Sequence, residues 1–537
     1  MVNLARIAKR IKYLPTLFKD DNLTKKATLN AISSALEYIA NVSVGLLTTP
    51  LIVAGLGDYF YGVWKILSGL IGYISPATGR PTQALKFTLA KEQYSDDVQL
   101  KRSYVGSTLG VLALFSPLLA LLGGLLTWFV PAWIKSPPQF YWPVRITCAV
   151  LILNLISDNI SSVPRSVLGG ENKGYKRMGL STFLILVGGG IIWVALYFKT
   201  GIIGIAVATL IETILTGVFF LLVVRAYSPW FGVSWPSKDA LRSFTGLSWW
   251  FMAWNLVMNL INSSDVVVLG LLNSVESVTN YTLSKYAPET VISIVAMIVF
   301  GILPGLGGIL GVGDLAKAAK VRGEIMAFTW LVVTVLGTGM VLWNRTFLAL
   351  WVGATHYVGS TLNLIIMFII FQYVFLRVDA SVIDLTLRLN RKVIMGAISV
   401  TISILIAGGL IHFLNMGILG VCIGVFSGRL ILSIAYPLII GKSLNVKFLS
   451  QIKAIIRPGL VTIFLFLAAT VIERFIPSQH WHSLSGWIAF LGAAGLSGFI
   501  ILFLALYTGL TKIQQKTLRN RVLAIFGAKV SKKVDNR

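Results

Sequence analysis

Long runs of apolar residues, separated by short polar and basic stretches, dominate the chain from about residue 28 onward. A window of about 19 residues finds roughly fourteen runs that are long enough to cross a bilayer as helices. They cover residues 28–53, 59–78, 104–133, 141–168, 175–198, 201–224, 244–272, 278–310, 325–351, 360–385, 393–414, 417–440, 459–476 and 485–508. The pattern predicts an all-α polytopic membrane protein with about fourteen transmembrane helices.

Short sequence matches between the two halves predict an internal repeat. Residues 129–133 (FVPAW) match residues 347–351 (FLALW), 218 positions later, and residues 201–204 (GIIG) match residues 417–420 (GILG), 216 positions later. Each repeat holds six runs, and an even number of crossings returns the chain to its starting side. Parallel repeats of this kind are a transporter architecture. We therefore predict two six-helix bundles related by a parallel pseudo-two-fold repeat, followed by two C-terminal helices.

The apolar runs and the polar stretches between them divide the chain into six predicted regions. Residues 1–27 form a basic cytoplasmic arm, 28–224 the N-terminal bundle, 225–243 a cytoplasmic linker and 244–440 the C-terminal bundle. Residues 459–508 carry the two extra transmembrane helices, and 509–537 form a basic cytoplasmic tail. Two interpretations of the tail stay open: it is a solvated segment that fixes topology, or it lies along the anionic inner leaflet.

Composition supports the membrane assignment and excludes nucleic acid as a partner. The 537 residues are 56% hydrophobic and only 12% charged, with a mean hydropathy of +0.81, whereas a soluble domain carries about a quarter charged residues. The net charge of +26 arises from basic residues in short loops: 37 on the side that we assign to the cytoplasm and only 4 on the other. This asymmetry follows the positive-inside rule and places both termini in the cytoplasm.

Two lysines lie inside apolar runs at matching places in the two halves. Lys65 and Lys285 are 220 positions apart, and each follows a tyrosine, Tyr61 or Tyr281, by four residues. An ammonium near the bilayer centre costs ~3 kcal/mol, so it normally faces a bundle interior or a watery cavity. Snorkelling of each lysine to an interface is the alternative. The duplication favours a central cationic cavity, with these four residues as candidate substrate-binding groups.

Three carboxylates lie within the first, second, seventh and eighth apolar runs, namely Glu37, Asp265 and Glu289. An intramembrane carboxylate is a candidate for proton or sodium coupling. Pairing with a basic residue is the alternative, and Glu289 lies four residues after Lys285, on the same helix face. Glu37 has no basic residue near it in its own run, which favours a functional role. H⁺ or Na⁺ is thus the expected coupling ion, and no other cofactor is expected.

Sites of other chemical classes are not indicated by the sequence. Cys148 and Cys422 lie in apolar segments, where they are interpreted as small core residues rather than disulfide or metal ligands. We identify no catalytic residues and no metal site. A membrane glycosyltransferase or polymerase would need room for a site on a large external loop, and every predicted external loop is short. A non-transporting scaffold would not explain charges at matching buried positions.

Several motifs resemble those of a known family. They are Pro50 with Leu56-Gly57 and Tyr61-Gly62, the 167–172 stretch VLGGEN, and Phe347 with the 350–353 stretch LWVG. Over residues 28–440 the chain resembles the polysaccharide (Wzx-type, lipid-linked oligosaccharide) flippases of the multidrug/oligosaccharidyl-lipid/polysaccharide exporter (MOP) superfamily. The resemblance implies a membrane transporter, not an enzyme, with a V-shaped cavity lined mainly by the first, second, seventh and eighth spans.

The resemblance also implies a substrate and a setting. The expected cargo is a polyprenyl-diphosphate-linked oligosaccharide, moved from the inner to the outer leaflet of a bacterial inner membrane for surface polysaccharide assembly. Lys65 and Lys285 would bind the diphosphate or an acidic sugar, since lysine is a mobile point charge for phosphate. Membrane lipids, a polysaccharide polymerase and glycosyltransferases are the other expected partners.

Two related functions stay open. The first is a MATE-like ion-coupled antiporter of drugs or small molecules. Cationic substrates would call for a cavity dominated by carboxylates, so the paired lysines count against it. The second is a flippase for the peptidoglycan lipid precursor. Those flippases also have two extra C-terminal helices, but their cavities are richer in arginine, whereas the matching spans here offer lysines.

Overall fold

The structure is a computed structural model that describes residues 23–92, 95–235, 238–385, 389–476 and 484–525. The predicted arm up to residue 22 and the tail beyond residue 525 lie outside the described residues. The described residues form fifteen α-helices. In chain order they are α1 (Leu23–Ile74), α2 (Pro81–Lys91), α3 (Val98–Trp133), α4 (Tyr141–Gly170), α5 (Met178–Tyr197), α6 (Gly201–Tyr227), α7 (Lys238–Leu272), α8 (Val275–Gly311), α9 (Leu315–Trp351), α10 (Ser360–Leu385), α11 (Leu389–Leu414), α12 (Gly417–Leu444), α13 (Phe448–Glu473), α14 (Leu484–Gly509) and α15 (Lys512–Ile525).

These helices confirm an all-α, multi-pass membrane protein. Within the described ranges, twelve helical stretches are long and apolar enough to cross a membrane. One of them, Ile32–Thr78, contains both the first and the second predicted segments. Helix α8, which contains the eighth predicted segment, is 37 residues long and is not among the twelve. Nearly every predicted segment thus coincides with one helix, and the first two share α1.

Helix α1 corrects the prediction of two separate helices at its start. It runs for 52 residues, interrupted only at Gly57, where φ is 77° and ψ is 167°. A straight helix of that length would extend about 78 Å at 1.5 Å per residue, far beyond the ~30 Å hydrocarbon core. The backbone conformation of Gly57 is one that only glycine adopts readily. The bend at this glycine therefore divides α1 into two membrane-crossing arms.

Residue contacts divide the chain into two compact units, Met1–Leu256 and Val257–Arg537. The division falls inside α7, which begins at Lys238. The last residues of the predicted linker are therefore helical. The bundle boundaries at 28–224 and 244–440 stay predictions.

The predicted repeat recurs as local geometry in each unit. The rings of Phe129 and Trp133 stack at the end of α3 with centroids 6.1 Å apart. The rings of Phe347 and Trp351 stack at the end of α9 with centroids 5.0 Å apart. The same pair of aromatic residues, four positions apart, thus ends the matching helix in both halves.

The turns before α6 and α12 also match. Lys199 and Gly201 have φ of 52° and 67°, and Asn415 and Gly417 have φ of 51° and 47°. The left-handed region favours glycine and asparagine, because other side chains crowd the backbone there. The glycine that opens residues 201–204 and 417–420 is therefore required by the turn, which explains why this short motif is repeated.

The two extra C-terminal helices pack against α9 in the second unit. Trp330 of α9 lies in an apolar cluster with Leu465 of α13 and Ile501 of α14. Its indole nitrogen donates to Thr462 Oγ1 at 2.9 Å. Buried indoles normally find such a partner. Polar and apolar contacts together make α13 and α14 part of the second unit.

The 167–172 stretch closes the end of α4. Glu171 is buried there and accepts hydrogen bonds from Ser228 at 2.5 Å, from Lys173 at 2.8 Å and from the indole of Trp230. Burial raises the pKa of Glu171, but these hydrogen bonds outweigh it and leave the pKa below its ordinary value. Gly170 lies against α2, where a Cβ would come within 2.7 Å of the Leu89 side chain. The motif therefore connects α4 to α2 and to the segment after α6.

Candidate functional site

A cavity of about 270 Å³ lies in the second unit between α7, α8, α10 and α12. Its lining combines apolar side chains with a concentration of charge. The polar and charged lining residues are Asn262, Asp265, Tyr281, Lys285, Glu289, Ser293, Tyr373, Arg377 and Arg429. The cavity is thus lined by three cations (Lys285, Arg377 and Arg429) and two carboxylates (Asp265 and Glu289). Their formal charges sum to +1.

The ammonium of Lys285 stands at the centre of this group. Its Nζ lies 2.6 Å from Asp265 Oδ2 and 3.0 Å from Glu289 Oε1. It also lies 4.9 Å from the centroid of the Tyr281 ring, within the range of a cation–π interaction. The Lys285 side chain is only 9% exposed, whereas that of Glu289 is 47% exposed. A buried cation is therefore held on one side by a buried acid and on the other by an accessible one.

Asp265 is fully partnered in its buried position on α7. Besides the lysine, Oδ2 accepts a hydrogen bond from the Tyr281 hydroxyl at 2.8 Å, and Oδ1 accepts one from the backbone N–H of Val266 at 2.8 Å. A buried charge is tolerated only when it is paired and hydrogen-bonded in this way. The sequence predicted substrate binding for Tyr281 and Lys285 and ion coupling for Asp265 and Glu289. The structure brings all four side chains together.

Arg377 and Arg429 are cavity residues to which the sequence pattern had assigned no binding role. The Arg429 guanidinium lies 4.5 Å from the centroid of the Tyr373 ring and donates to the Ile261 carbonyl at 3.0 Å. Tyr373 in turn donates to Asn262. Both arginines are among the few basic residues that the sequence places in or at the edge of a span. That position was the signal that could have identified them.

Lys65 repeats the lysine–tyrosine arrangement in the first unit. Its Nζ lies 5.2 Å from the centroid of the buried Tyr61 ring, close to the 4.9 Å found for Lys285 and Tyr281. The arrangement differs in its acids, because an offset of 217 to 220 from Asp265 falls at residues 45–48, which are Gly-Leu-Leu-Thr. The structure thus places both predicted lysines on tyrosine rings, and only the second repeat carries an acid at the position of Asp265.

Glu37 lies apart from the cavity residues, in the first unit. Its side chain is 12% exposed and lies 3.2 Å from Arg177 Nη1 and 3.9 Å from Arg165 Nη2. Ser33 on the same helix also donates to it, at 3.4 Å. As the sequence shows, no basic residue lies within the apolar run of Glu37. Two guanidinium groups nevertheless contact it from other helices of the same unit. Pairing, the alternative interpretation, is therefore the arrangement found.

The two cysteines were predicted to be small core residues. Cys148 and Cys422 are both buried and carry free thiols, as expected for small core residues. Among the described residues, no group of three or more His, Cys, Asp or Glu side chains is placed to hold a metal ion.

Similarity to known proteins extends over most of the chain. A family model described as "Polysaccharide biosynthesis protein" matches residues 101–306. Among solved structures, Lipid II flippase MurJ in an inward closed conformation is similar over 92% of this chain and 99% of its own, with 13% identity and a TM-score of 0.67. The chain has the fold of the MOP superfamily. No curated protein sequence matches it.

Two transporters of the MOP superfamily also share this fold. An inward-facing multidrug resistance MATE family transporter is similar over 76% of this chain and 94% of its own, with 13% identity and a TM-score of 0.60. A MOP superfamily transporter from Pyrococcus furiosus, described as having a binding pocket of reverse polarity, is similar over 79% and 96%, with 14% identity and a TM-score of 0.51. The resemblance inferred from the sequence motifs is confirmed at the level of the fold.

Proposed function

We propose that the chain is a flippase that moves a polyprenyl-diphosphate-linked oligosaccharide from the inner to the outer leaflet by alternating access, for the assembly of surface polysaccharide. The observation that carries this proposal is the cavity in the second unit, where Lys285, Arg377 and Arg429 line one space within membrane helices. The polysaccharide biosynthesis family match supports the same substrate class. The bacterial inner membrane, with both termini in the cytoplasm, is the proposed location.

The chemistry of the cavity suits a diphosphate. Arginine can bind phosphate oxygens with two donors, and lysine contacts them as a mobile point charge. Such contacts are stronger inside the low-dielectric bundle than in water. The two carboxylates beside Lys285 moderate this attraction, so that the anion binds without becoming trapped. The small net positive charge among the lining residues suits transport, because the cargo must leave as well as enter.

The size of the cavity indicates which part of the cargo it holds. A volume of about 270 Å³ accommodates a small anionic group, and sites for drug-sized ligands begin at roughly 300 Å³. We assign the diphosphate to this cavity and leave the glycan outside it. Lys65 and Tyr61, which repeat the lysine–tyrosine geometry, are assigned the same anion-binding role in the first unit.

Ion coupling is assigned to the acids around Lys285. A proton or Na⁺ on Glu289 or Asp265 would weaken their hold on the ammonium and make it available to phosphate. Glu289 is the accessible member, since nearly half of its side chain is exposed. Glu37 is the weaker candidate because its carboxylate already has two arginine partners.

A peptidoglycan lipid precursor is the second candidate substrate. The similarity to the Lipid II flippase extends over 92% of the chain, compared with 76% for the MATE transporter. A lipid-linked glycan on a diphosphate would use the same cation cluster. A drug antiporter is disfavoured because the intramembrane acids at this site are occupied by Lys285.

The deciding experiment measures how lipid-linked oligosaccharide is distributed between the two leaflets in cells that lack the protein. The flippase should be required for its appearance on the outer leaflet, so the lipid should accumulate on the inner leaflet and surface polysaccharide should be lost. Complementation with wild type should restore export. Lys285→Ala should not, whereas Lys317→Ala, at an exposed position on α9, should restore it fully. The glycan isolated from the accumulated lipid distinguishes a surface polysaccharide repeat from a peptidoglycan precursor. A normal distribution between leaflets would overturn the proposal.

A further inference from the structure

A basic surface surrounds the point at which the last transmembrane helix ends. Helix α15 begins at Lys512, three residues after α14 ends at Gly509. Lys512, Lys516 and Arg519 are exposed on it, and the segment Lys512–Ile525 contains no acidic residue. The exposed Ile513 lies among these cations, with 79% of its surface accessible.

Helix α15 is held in place by specific contacts, so its basic face has a defined position. The Gln515 amide donates to the carbonyl groups of Leu506 and Leu510 at 2.8 and 3.1 Å, which satisfies the end of α14. Thr511 and Gln514 form reciprocal bonds that cap the start of α15. Leu518 packs onto the apolar cluster around Trp330. A helix docked this close to the end of a span must lie at the membrane surface.

The start of α13 extends the same surface. Arg457 donates to the Thr508 carbonyl at 2.7 Å, which brings this part of α13 beside the end of α14. Arg457 and Lys453 are both exposed, and Ile455 and Ile456 between them are 53% and 54% exposed. Residues 448–457 also contain no acidic side chain. Cations and apolar side chains therefore alternate along a surface that adjoins the hydrocarbon region.

We propose that this surface, formed by Lys453, Arg457, Lys512, Lys516 and Arg519, binds the headgroups of anionic phospholipids. Exposed apolar residues interspersed with Lys and Arg are the pattern of a surface that lies in the bilayer interface. A basic residue near an anionic leaflet contributes ~1 kcal/mol, equivalent to roughly a five-fold change in affinity. The two extra helices and α15 thereby attach the second unit to anionic lipid. The inference is independent of what the protein transports.

The test is lipid binding by the full-length protein, measured by native mass spectrometry with phosphatidylglycerol or phosphatidylcholine added. Wild type should bind phosphatidylglycerol preferentially. The triple variant Lys512→Gln/Lys516→Gln/Arg519→Gln should lose at least about ten-fold in phosphatidylglycerol affinity, with phosphatidylcholine binding unchanged. A matched control, Lys135→Gln/Lys199→Gln/Arg474→Gln, removes three exposed cations elsewhere and should behave as wild type.

Two further measurements complete the test. Lys512→Arg/Lys516→Arg keeps both charges and should bind phosphatidylglycerol as wild type does, which separates loss of charge from loss of fold. Inorganic phosphate should not displace the lipid. Equal binding of the two lipids by wild type, undiminished phosphatidylglycerol binding by the triple glutamine variant, or displacement by inorganic phosphate would each overturn the proposal.

Discussion

The ammonium of Lys285 lies 2.6 Å from the carboxylate of Asp265, so the cation that we assign to the substrate is already bound by the protein. An incoming phosphate must compete with this carboxylate for the same ammonium. The competition lowers the affinity for substrate, and the carboxylate compensates the buried ammonium when no substrate is bound. The pair therefore sets how strongly the cavity binds and how readily it releases.

Asp265→Asn should make the site bind substrate more tightly and transport it more slowly. Without the competing carboxylate, Glu289 is the acid that remains on Lys285, and an anionic substrate gains the ammonium at less cost. We expect the apparent KM for lipid-linked oligosaccharide to fall several-fold and the maximal rate to fall about ten-fold, in a vesicle-based flipping assay. Tyr281→Phe removes one hydrogen bond to the Asp265 carboxylate, worth about 1.5–3 kcal/mol. It leaves that carboxylate competing for the ammonium, so it should change the KM far less. An unchanged KM in Asp265→Asn would remove Asp265 from substrate competition.

Lys285→Ala and Lys65→Ala should each abolish most export, since each removes a cation from a membrane-embedded anion site. Flipping should fall at least about ten-fold, the effect expected for one lost charge-assisted hydrogen bond of about 1.5–3 kcal/mol. The measurement is export of lipid-linked oligosaccharide, normalised to the amount of protein in the membrane.

Loss of fold must be separated from loss of binding in this pair of variants. Lys285→Ala leaves Asp265 as a buried unpaired charge, which costs about 3–5 kcal/mol of stability. The double variant Lys285→Ala/Asp265→Asn removes that charge and should recover stability but not transport. Normal export in the double variant Lys65→Ala/Lys285→Ala would contradict the cationic-cavity hypothesis.

Glu37→Gln should lower stability and leave ion coupling intact. Arg177 would lose its ionised partner at 3.2 Å, at a cost of roughly 1–3 kcal/mol. The midpoint of thermal unfolding should fall, whereas the dependence of transport on the proton or sodium gradient should match wild type. Loss of gradient dependence in this variant would instead assign the coupling role to Glu37.

Gly57→Ala should damage transport through the backbone alone. A Cβ at this position meets nothing within 4 Å, so the penalty arises from the positive φ and is about 1–3 kcal/mol. Relief of that strain would straighten α1 and displace Lys65, which is eight residues further on. We expect reduced export at normal abundance. Gly124→Ala is the matched control, because Gly124 is helical and its Cβ also meets nothing; it should export normally.

Glu171→Gln should reduce stability at neutral pH and have less effect in acid. The pKa of Glu171 lies below its ordinary value of 4.5 in the folded chain, so the ionised side chain stabilises the fold fully above that value. As the pH falls, the unfolded chain takes up the proton first, and the stabilisation is lost until the folded carboxylate also protonates. The difference in unfolding temperature between wild type and variant should therefore be largest near pH 7 and shrink below about pH 4.5. A difference that does not change with pH would contradict the assigned ionisation.

Hydropathy alone predicts the last two transmembrane helices, α13 and α14. The sequence located both of them to within a few residues at one or both ends, but it left their role open. Their contacts with α9 depend on Trp330 and Thr462, which are 132 positions apart. Nothing in the local pattern of either helix indicates that partner.

The sequence by itself determined which segments are helical, that they repeat, and that a lysine follows a tyrosine by four residues at matching places. These properties are local, because membrane helices must bury about twenty apolar residues and satisfy their own backbone hydrogen bonds. Only the tertiary structure decided which charges meet. Asp265 reaches Lys285, Glu37 reaches Arg177 from 140 positions away, and Arg377 and Arg429 line the same cavity. Long-range pairing depends on how helices pack, and a buried charge takes whichever partner the packed helices bring within hydrogen-bond distance.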